Sequence, residues 1–363
     1  MGELLDDHHL RGTGLRQIPV VVLGFGKVGQ AFASLLEEQD GFAWEGVGLK
    51  LVGVCDRSGG VVSNAPDDLP IGDVIAAKRA LGGLGSVPRL GREGMQASEA
   101  LSRYPEAILV DASPTHARSG EPGLSQLRPA LERGHSAVLA SKGPLVAAFP
   151  ELLELARLRG SRIGISAAVG TPLPSLEVGR LGSRGSALHA FRGIFNTTAN
   201  RILMQMEAGM GYEDAMMDAE RAGVLEPDPR LDVEGWDTAF KVLILARSFW
   251  SPTIPAESMK VQGITQITKD EIARALESGR RLRLVGAAQQ SPSGDVTIRV
   301  EVEPLPPSDP LYSLASGEKG AQFETSLMGG FFVRSGKSGP RTTAAALVKD
   351  ILNIAAHPTG LAL

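Results

Sequence analysis

The sequence predicts an α/β chain in two unlike parts: a doubly wound parallel sheet, then a second α+β domain of mostly antiparallel sheet covered by helices. Three observations lead there. Up to about residue 170, short apolar runs alternate with amphipathic stretches, the pattern of parallel strands joined by crossover helices. A glycine-rich turn separates the first such run from the first such helix. After about residue 175, alternating runs and two long helical patterns replace that rhythm. At 363 residues the chain also exceeds what one hydrophobic core organises.

The elements follow in order. The β-branched run IPVVVL (18–23) leads into GFGKVG and the amphipathic KVGQAFASLLEEQ, and LKLVGVCD, ending at Asp56, completes a strand–turn–helix–strand unit. AILVDAS (107–113), SAVLASK (136–142) and RIGISAAVG (162–170) read as further strands, with LSQLRPALERG and FPELLELARLRG as helices between them. Beyond 175, LHAFRGIFN, VTIRVEVEPL and AQFETSLMGGFFVRS read as sheet strands, and 201–222 and 233–250 as helices. TTAAALVKDILNIA closes the chain as an amphipathic helix that most simply packs back on the first domain. The expected division is a loose tail at 1–16, a first domain at 17–150 plus 335–363, and a second at 151–334.

Composition narrows the function classes. A net charge of −4 with both signs interspersed, and three Trp and three Tyr, give neither a basic surface nor stacking platforms for nucleic acid. No apolar run has the length of a membrane span, and the polar, acidic N-terminus is unlike a signal peptide, so the expected location is cytoplasmic. The single cysteine, Cys55, permits no internal disulfide and no thiolate zinc site. Six scattered histidines show no ligand spacing, so no metal site is expected from them.

Gly24, Gly26 and Gly29 form G-x-G-x-x-G after a strand and at the head of a helix, the context of a dinucleotide-binding, Rossmann-type turn. The first permits a tight turn, the second lets main chain approach a pyrophosphate, and the third lets helix and strand pack closely. Phe25, Lys27 and Val28 complete the loop. Asp56 ends the second strand, where an acid holds the ribose hydroxyls of NAD, while Arg57 beside it suits the 2′-phosphate of NADP. The choice between NAD and NADP is therefore open. Cys55 reads as a buried strand residue and not as a nucleophile.

The stretch Glu226 to Lys241 (EPDPRLDVEGWDTAFK) packs five acids before the apolar KVLILA. Asp237 and Lys241 are four apart and share a helix face. A surface pair worth a few tenths of a kcal/mol is the plain alternative, but the apolar continuation points to burial, where charges persist only when paired or functional. A lysine held by a carboxylate suits proton transfer to a hydroxyl or carbonyl oxygen. Lys142 ends a strand-like run on the first domain, where ligand crevices form, although a solvated loop lysine fits equally well.

Taken together, GFGKVG, CDRSGG, DASPTHARSGEPGLSQLRPALERGHSAVLASKGPL, GIFNTTANRIL, EPDPRLDVEGWDTAFK and TTAAALVKDIL resemble the homoserine dehydrogenase family, in its short form without kinase or regulatory domain. The resemblance runs over nearly the whole chain after the tail. It implies NAD(P)-dependent hydride transfer between L-homoserine and L-aspartate 4-semialdehyde, with a dinucleotide-binding first domain and a second domain for substrate and for dimerisation. It implies Lys241 as proton shuttle, Asp237 as its orienting partner, and Lys142 between nicotinamide and substrate. Glu226 would bind the substrate ammonium with Asp232 in support, and Thr198, with Thr197 beside it, would contact substrate. Ser113 and Pro114 would form the loop over the nicotinamide, and Gly339 would return near the cofactor. A homodimer is implied too.

Three positions depart from the family pattern. Ser166, in ISAAVGTPLPS, stands where an acid is expected, in a turn that reads as shorter than usual. Family members build a monovalent-cation site from this turn, and the change weighs against one here. Val224 replaces a tyrosine, and Thr197 replaces the glycine of Asn-Gly-Thr or Ser-Gly-Thr. Two alternatives follow: a dehydrogenase of the same family with another small amino-acid or semialdehyde substrate, or a catalytically silent nucleotide-binding protein. The retained Asp237, Lys241 and Glu226 argue against the second.

Overall fold

The apolar run at the start of the chain becomes the middle strand of a seven-stranded sheet. Its strands are β1 (Arg16–Leu23), β2 (Val47–Asp56), β3 (Gly59–Val62), β4 (Gly91–Glu93), β5 (Ile108–Asp111), β6 (Ala137–Leu139) and β7 (Ile163–Gly164), in the order β4-β3-β2-β1-β5-β6-β7. The computed structural model describes residues 16–38, 46–64, 69–225 and 229–356; the expected tail over 1–15 and Glu226 lie outside them. β2, β1, β5, β6 and β7 are parallel, whereas β3 and β4 fold back antiparallel at one edge. Val20, Val21 and Val22 are fully buried, as a run covered on both faces requires.

Because β2 and β5 flank β1 on opposite sides, the connections leaving β1 and β5 diverge, and a crevice opens at their carboxyl ends. Leu23 pairs with Asp111 there, and Leu23 O accepts the Ala112 N–H at 2.8 Å. The closing helix, Pro340–Ala356, packs against the glycine-loop helix Lys27–Glu38 and against β6 and β7, so the end of the chain returns to the first sheet.

The second sheet has six strands: β8 (Leu188–Ile194), β9 (Met259–Val261), β10 (Arg281–Gln290), β11 (Val296–Leu305), β12 (Lys319–Thr325) and β13 (Gly329–Ser335), in the order β13-β12-β8-β10-β11-β9. Only the β9–β11 pair is parallel. Helices Thr197–Glu207, Trp236–Phe249 and Lys269–Glu277 all pack on β10 and cover one face. The opposite face carries Arg192, Gln289, Thr297, Arg299 and Gln322 around an open groove of about 370 Å³.

Several expectations change. The first sheet runs on to Gly164, past the boundary placed at 150, because β7 pairs with β6 beyond the helix Phe149–Arg159. RIGISAAVG gives only two strand residues before a 3-10 turn at Ser166–Ala168. The helical pattern at 201–222 is two helices, Thr197–Glu207 and Tyr212–Arg221, and the one at 233–250 starts as a short helix, Arg230–Val233. Gly235, at φ +88°, breaks that short helix from Trp236–Phe249, a conformation that side chains resist.

Candidate active site

The glycine loop has the shape that its spacing implies. Gly24 stands at φ +89°, and a side chain there would meet the Ala112 carbonyl and the Ser113 nitrogen at 2.5 Å, so the loops after β1 and β5 touch only because this residue is glycine. A Cβ on Gly29 would lie 2.1 Å from Gly24 O, which fixes the close helix–strand approach. A Cβ on Gly26 would meet nothing within 4 Å, so the main chain is open to a ligand at the head of helix Lys27–Glu38. Phe25 is buried in the core and offers a ligand only its main chain, while Lys27 is exposed and Val28 half-buried. These residues fit a dinucleotide pyrophosphate.

At the end of β2, Asp56 already has partners. Its Oδ1 accepts the Ser58 N–H (2.8 Å) and hydroxyl (2.6 Å); its Oδ2 accepts Lys78 Nζ (2.6 Å) and the Leu84 N–H (3.2 Å). Burial opposes its ionisation, but Lys78 and Ser58 outweigh burial and hold the carboxyl below its ordinary range. A ribose would have to compete for those oxygens, whereas Arg57 next to it is exposed. The Cys55 thiol is pushed up to about 12 by burial, with Asp56 adding to it, so it is an inert core residue.

Between the two sheets lies a cleft of about 580 Å³ that collects most of the remaining candidates. Pro114 and Lys142 reach it from the first sheet; Thr197, Thr198, Asp232, Asp237 and Lys241 reach it from the second part of the chain. Val224 also lines it, so two of the three departing positions face the cleft. The loop after β5 is shaped by Asp111, whose Oδ1 accepts the Ser113 N–H at 2.9 Å and turns Pro114 into the cleft. Gly339 donates its N–H to Thr342 Oγ1 beside Ser338, which lines the same space.

Asp237 is the hub. Lys241 Nζ donates to its Oδ2 and, at 2.9 Å, to Phe195 O, while Lys142 Nζ stands 3.3 Å from Oδ1. Two lysines from sequence-distant segments thus share one carboxylate across the cleft. Helix Trp236–Phe249 is buried continuously from Thr238 to Arg247, which places the pair well inside the molecule and rules out the surface alternative. Burial opposes a charge on Asp237, but the charges of Lys241 and then Lys142, with hydrogen bonds from Lys241 and Asn196, prevail and hold the carboxyl far below the usual range. Asp232 goes the other way: burial, then the neighbouring Asp237 charge, push it up to about 6. Thr198 Oγ1 donates to Val224 O at 3.3 Å.

Three further residues matter here that sequence reasoning did not single out. Asn196 caps helix Thr197–Glu207, its Oδ1 accepting the Ala199 N–H at 2.9 Å. That bond turns its amide nitrogen toward Asp232 Oδ1 (2.5 Å) and Asp237 Oδ2 (2.8 Å), holding the two carboxylates in place. Arg247, buried on the same helix as Lys241, donates to Leu145 O and Val146 O at 2.9 Å. These carbonyls close the short helix Gly143–Ala147, which begins at Lys142, so one guanidinium couples the two lysine-bearing segments. Lys319, at the head of β12, is buried in the cleft floor.

In the turn from Ile165 to Leu173 most main-chain oxygens are already engaged, which leaves few free for a monovalent cation. Among the described residues, the carbonyls of Ile165, Ser166, Ala167, Val169, Gly170 and Leu173 each accept an N–H or hydroxyl from within the turn or from Ser175. Thr171 O accepts Lys319 Nζ at 2.5 Å and the Ser338 hydroxyl at 2.9 Å. Ser166 is engaged as well: its N–H donates to Asp350 Oδ2, and its hydroxyl lies 2.6 Å from Asp350 Oδ1 and 2.5 Å from Glu177 Oε1. With Lys319 Nζ on Thr171 O and the neighbouring carbonyls mostly engaged, the turn is poorly suited to a cation. No cluster of three or more His, Cys, Asp or Glu among the described residues can hold a metal either.

A Rossmann-type sheet with an open glycine loop, joined to a cleft of paired lysines and carboxylates, defines the class: a nicotinamide-dependent oxidoreductase acting on a CH–OH group. Comparison with known proteins specifies the family. The homoserine dehydrogenase family model matches residues 174–352. The NAD(+)-dependent homoserine dehydrogenase of Pseudomonas canavaninivorans is 32% identical over 348 residues, 94% of this chain and 97% of that protein. The homoserine dehydrogenase of Methanocaldococcus jannaschii is 29% identical over 92% of this chain and 98% of its own. A hyperthermophilic archaeal homoserine dehydrogenase, solved in complex with NADPH, shares the fold at a TM-score of 0.79, covering 94% of this chain and 98% of its own at 24% identity. The chain belongs to the homoserine dehydrogenase family.

Proposed function

We propose that the chain interconverts L-aspartate 4-semialdehyde and L-homoserine, with NADPH or NADH as reductant. The observation that carries this reading is Asp237 holding Lys142 and Lys241 together in a cleft bordered by Pro114, on the loop that packs against Gly24. The dinucleotide, when bound, supplies or takes the hydride. Two protons of the Lys241 ammonium are spent on Asp237 and Phe195 O, which leaves a third for the substrate oxygen. Lys241 gives that proton to the forming alkoxide in reduction and recovers it in oxidation, while Asp237 keeps it charged and placed. Lys142 stands at the nicotinamide side.

Asp232, with Glu226, receives the substrate ammonium, and Thr197 and Thr198 line the same wall. Asp237 between two ammoniums leaves one net positive charge, which Asp232 offsets once ionised; a zwitterionic amino acid suits such a site. Gly24, Gly26 and Gly29, with the main chain of Phe25, Lys27 and Val28, take the pyrophosphate. Ser113, Pro114 and Gly339 border the nicotinamide, and Asp56 or Arg57 the adenosine ribose. On this reading the nucleotide domain comprises residues up to Gly164 plus the closing helix, and the rest binds substrate. The open face of the second sheet, with Arg192, Arg299 and Glu324 around its groove, is the surface we assign to a homodimer. No helix among the described residues is long and apolar enough to cross a membrane; a cytoplasmic location fits an enzyme that draws on a nicotinamide pool.

The test is dinucleotide reduction by the purified chain with L-homoserine, beside L-threonine and 4-hydroxybutyrate. Turnover with L-homoserine and loss of it with 4-hydroxybutyrate, which lacks the ammonium, is the expected result. Faster turnover of another hydroxy amino acid would move the substrate to the altered wall at Val224 and Thr197.

A further inference from the structure

We propose that the Lys319 amino group takes the place at the Ile165–Leu173 turn that a monovalent cation would hold, so that the cleft floor is positioned without metal. The inference rests on reading this cleft as the active site, but not on which amino acid is turned over. Lys319 begins β12, yet its side chain is buried, and its Nζ binds Thr171 O (2.5 Å) and Ser338 Oγ (3.0 Å). Ser338 itself donates to Thr171 O. One nitrogen therefore joins three segments: the turn that leaves the first sheet, a strand of the second sheet, and the connection from β13 into the closing helix.

Among the described residues no carboxylate bonds Lys319 directly, and its partners there are the dipoles of a carbonyl and a hydroxyl, the kind of oxygens that would otherwise surround a small cation. Six of the turn's other carbonyls already accept a hydrogen bond from within the turn or from Ser175. Burial, and then the charge of Lys241, pull the Lys319 ammonium well below its usual range, against the attraction of Asp237 and Asp232. Charged or neutral, the nitrogen keeps at least two N–H donors for its two acceptors. The side chain is a positioning residue: it holds the turn and Ser338 at the cleft floor, while Lys241 and Lys142 face the chemistry.

The test compares melting temperature and NADPH affinity of the intact protein in KCl, NaCl and tetramethylammonium chloride at equal ionic strength. Neither readout involves the substrate, so a wrong substrate leaves the result intact. The expected outcome is that all three salts give the same melting temperature and the same affinity. A protein that needed the metal ion, with a millimolar Kd, would melt several degrees higher in about 0.1 M KCl or NaCl, and that result would overturn the inference. Lys319→Ala opens the place: its melting temperature should fall and recover partly with K⁺ or Na⁺ but not with tetramethylammonium. A variant as indifferent to salt as its parent would also overturn the inference, and Lys319→Met offers the same comparison with more of the packing kept.

Discussion

At the glycine loop, the surface offered to a ligand is main chain; at the lysine cleft, it is side chains. Gly24, Gly26 and Gly29 act by what they lack, and all three lie within six residues of one another, between one strand and one helix. The cleft instead assembles Lys142 after β6, Asn196 after β8, Asp232, Asp237 and Lys241 around one buried helix, and Lys319 on β12. The first region is local in sequence, with Gly24 packed against the neighbouring loop at Ala112 and Ser113. The second exists only when both sheets are in place, because its hub carboxylate is shared by lysines from both. Dinucleotide binding and proton transfer should therefore separate under mutation.

The largest separation is expected at Lys241→Ala, which should lower kcat by about 10²–10⁴, the range for a positioned acid–base group, while fluorescence titration shows NADPH affinity unchanged. Asp237→Asn removes the anion between two lysines and should cost about 3–5 kcal/mol in urea unfolding, as for a broken buried pair. At the glycine loop the contrast reverses. Gly29→Ala forces a Cβ against Gly24 O and should destabilise the fold by about 1–3 kcal/mol, whereas Gly26→Ala should leave stability intact and weaken dinucleotide binding about tenfold.

The carboxylates of the cleft give a pH signature that the loop lacks. Asp232 titrates at about 6, above its ordinary 3.8, so the folded protein binds an extra proton between those values and this group's contribution to stability declines as pH rises through them. In the role proposed for it, only the ionised form would receive the substrate ammonium. Hence kcat/KM should fall about tenfold per unit below about pH 6, and Asp232→Asn should flatten that limb in a pH–rate profile. The smallest effect is expected at the ribose end: Arg57→Ala should weaken NADPH binding about tenfold or less, the worth of one charge-assisted hydrogen bond, and leave NADH nearly unchanged. Equal losses would remove Arg57 from the choice of coenzyme.

The same contrast explains what was legible in the sequence. The glycine loop and the Asp237–Lys241 pair are short-range patterns, and both stand where their spacing places them. Lys142 could be read only as a strand-end lysine, since its partner lies in another part of the chain. Asn196, Arg247 and Lys319 carry no local signal: their key contacts span 41, 102 and 148 residues. Lys319 opens β12, KGAQFET, a short strand whose own polar residues give it no distinguishing mark. In the fold, alternating strands such as β11 were plain, but β10 was not picked out. RLRLVGAAQQ buries nearly every residue from Leu282 to Ala288, including Arg283, which Glu207 pairs at 2.6 Å, so it lacks the alternation of a half-exposed strand.

The measurement that bears most directly on the activity is NADPH and NADH oxidation by the purified protein with L-aspartate 4-semialdehyde. Turnover with at least one coenzyme is the expected result, and it would join the glycine loop and the lysine cleft in one reaction. Tight coenzyme binding with no oxidation would contradict it, leaving a dinucleotide site intact beside a cleft that does not use it on this substrate.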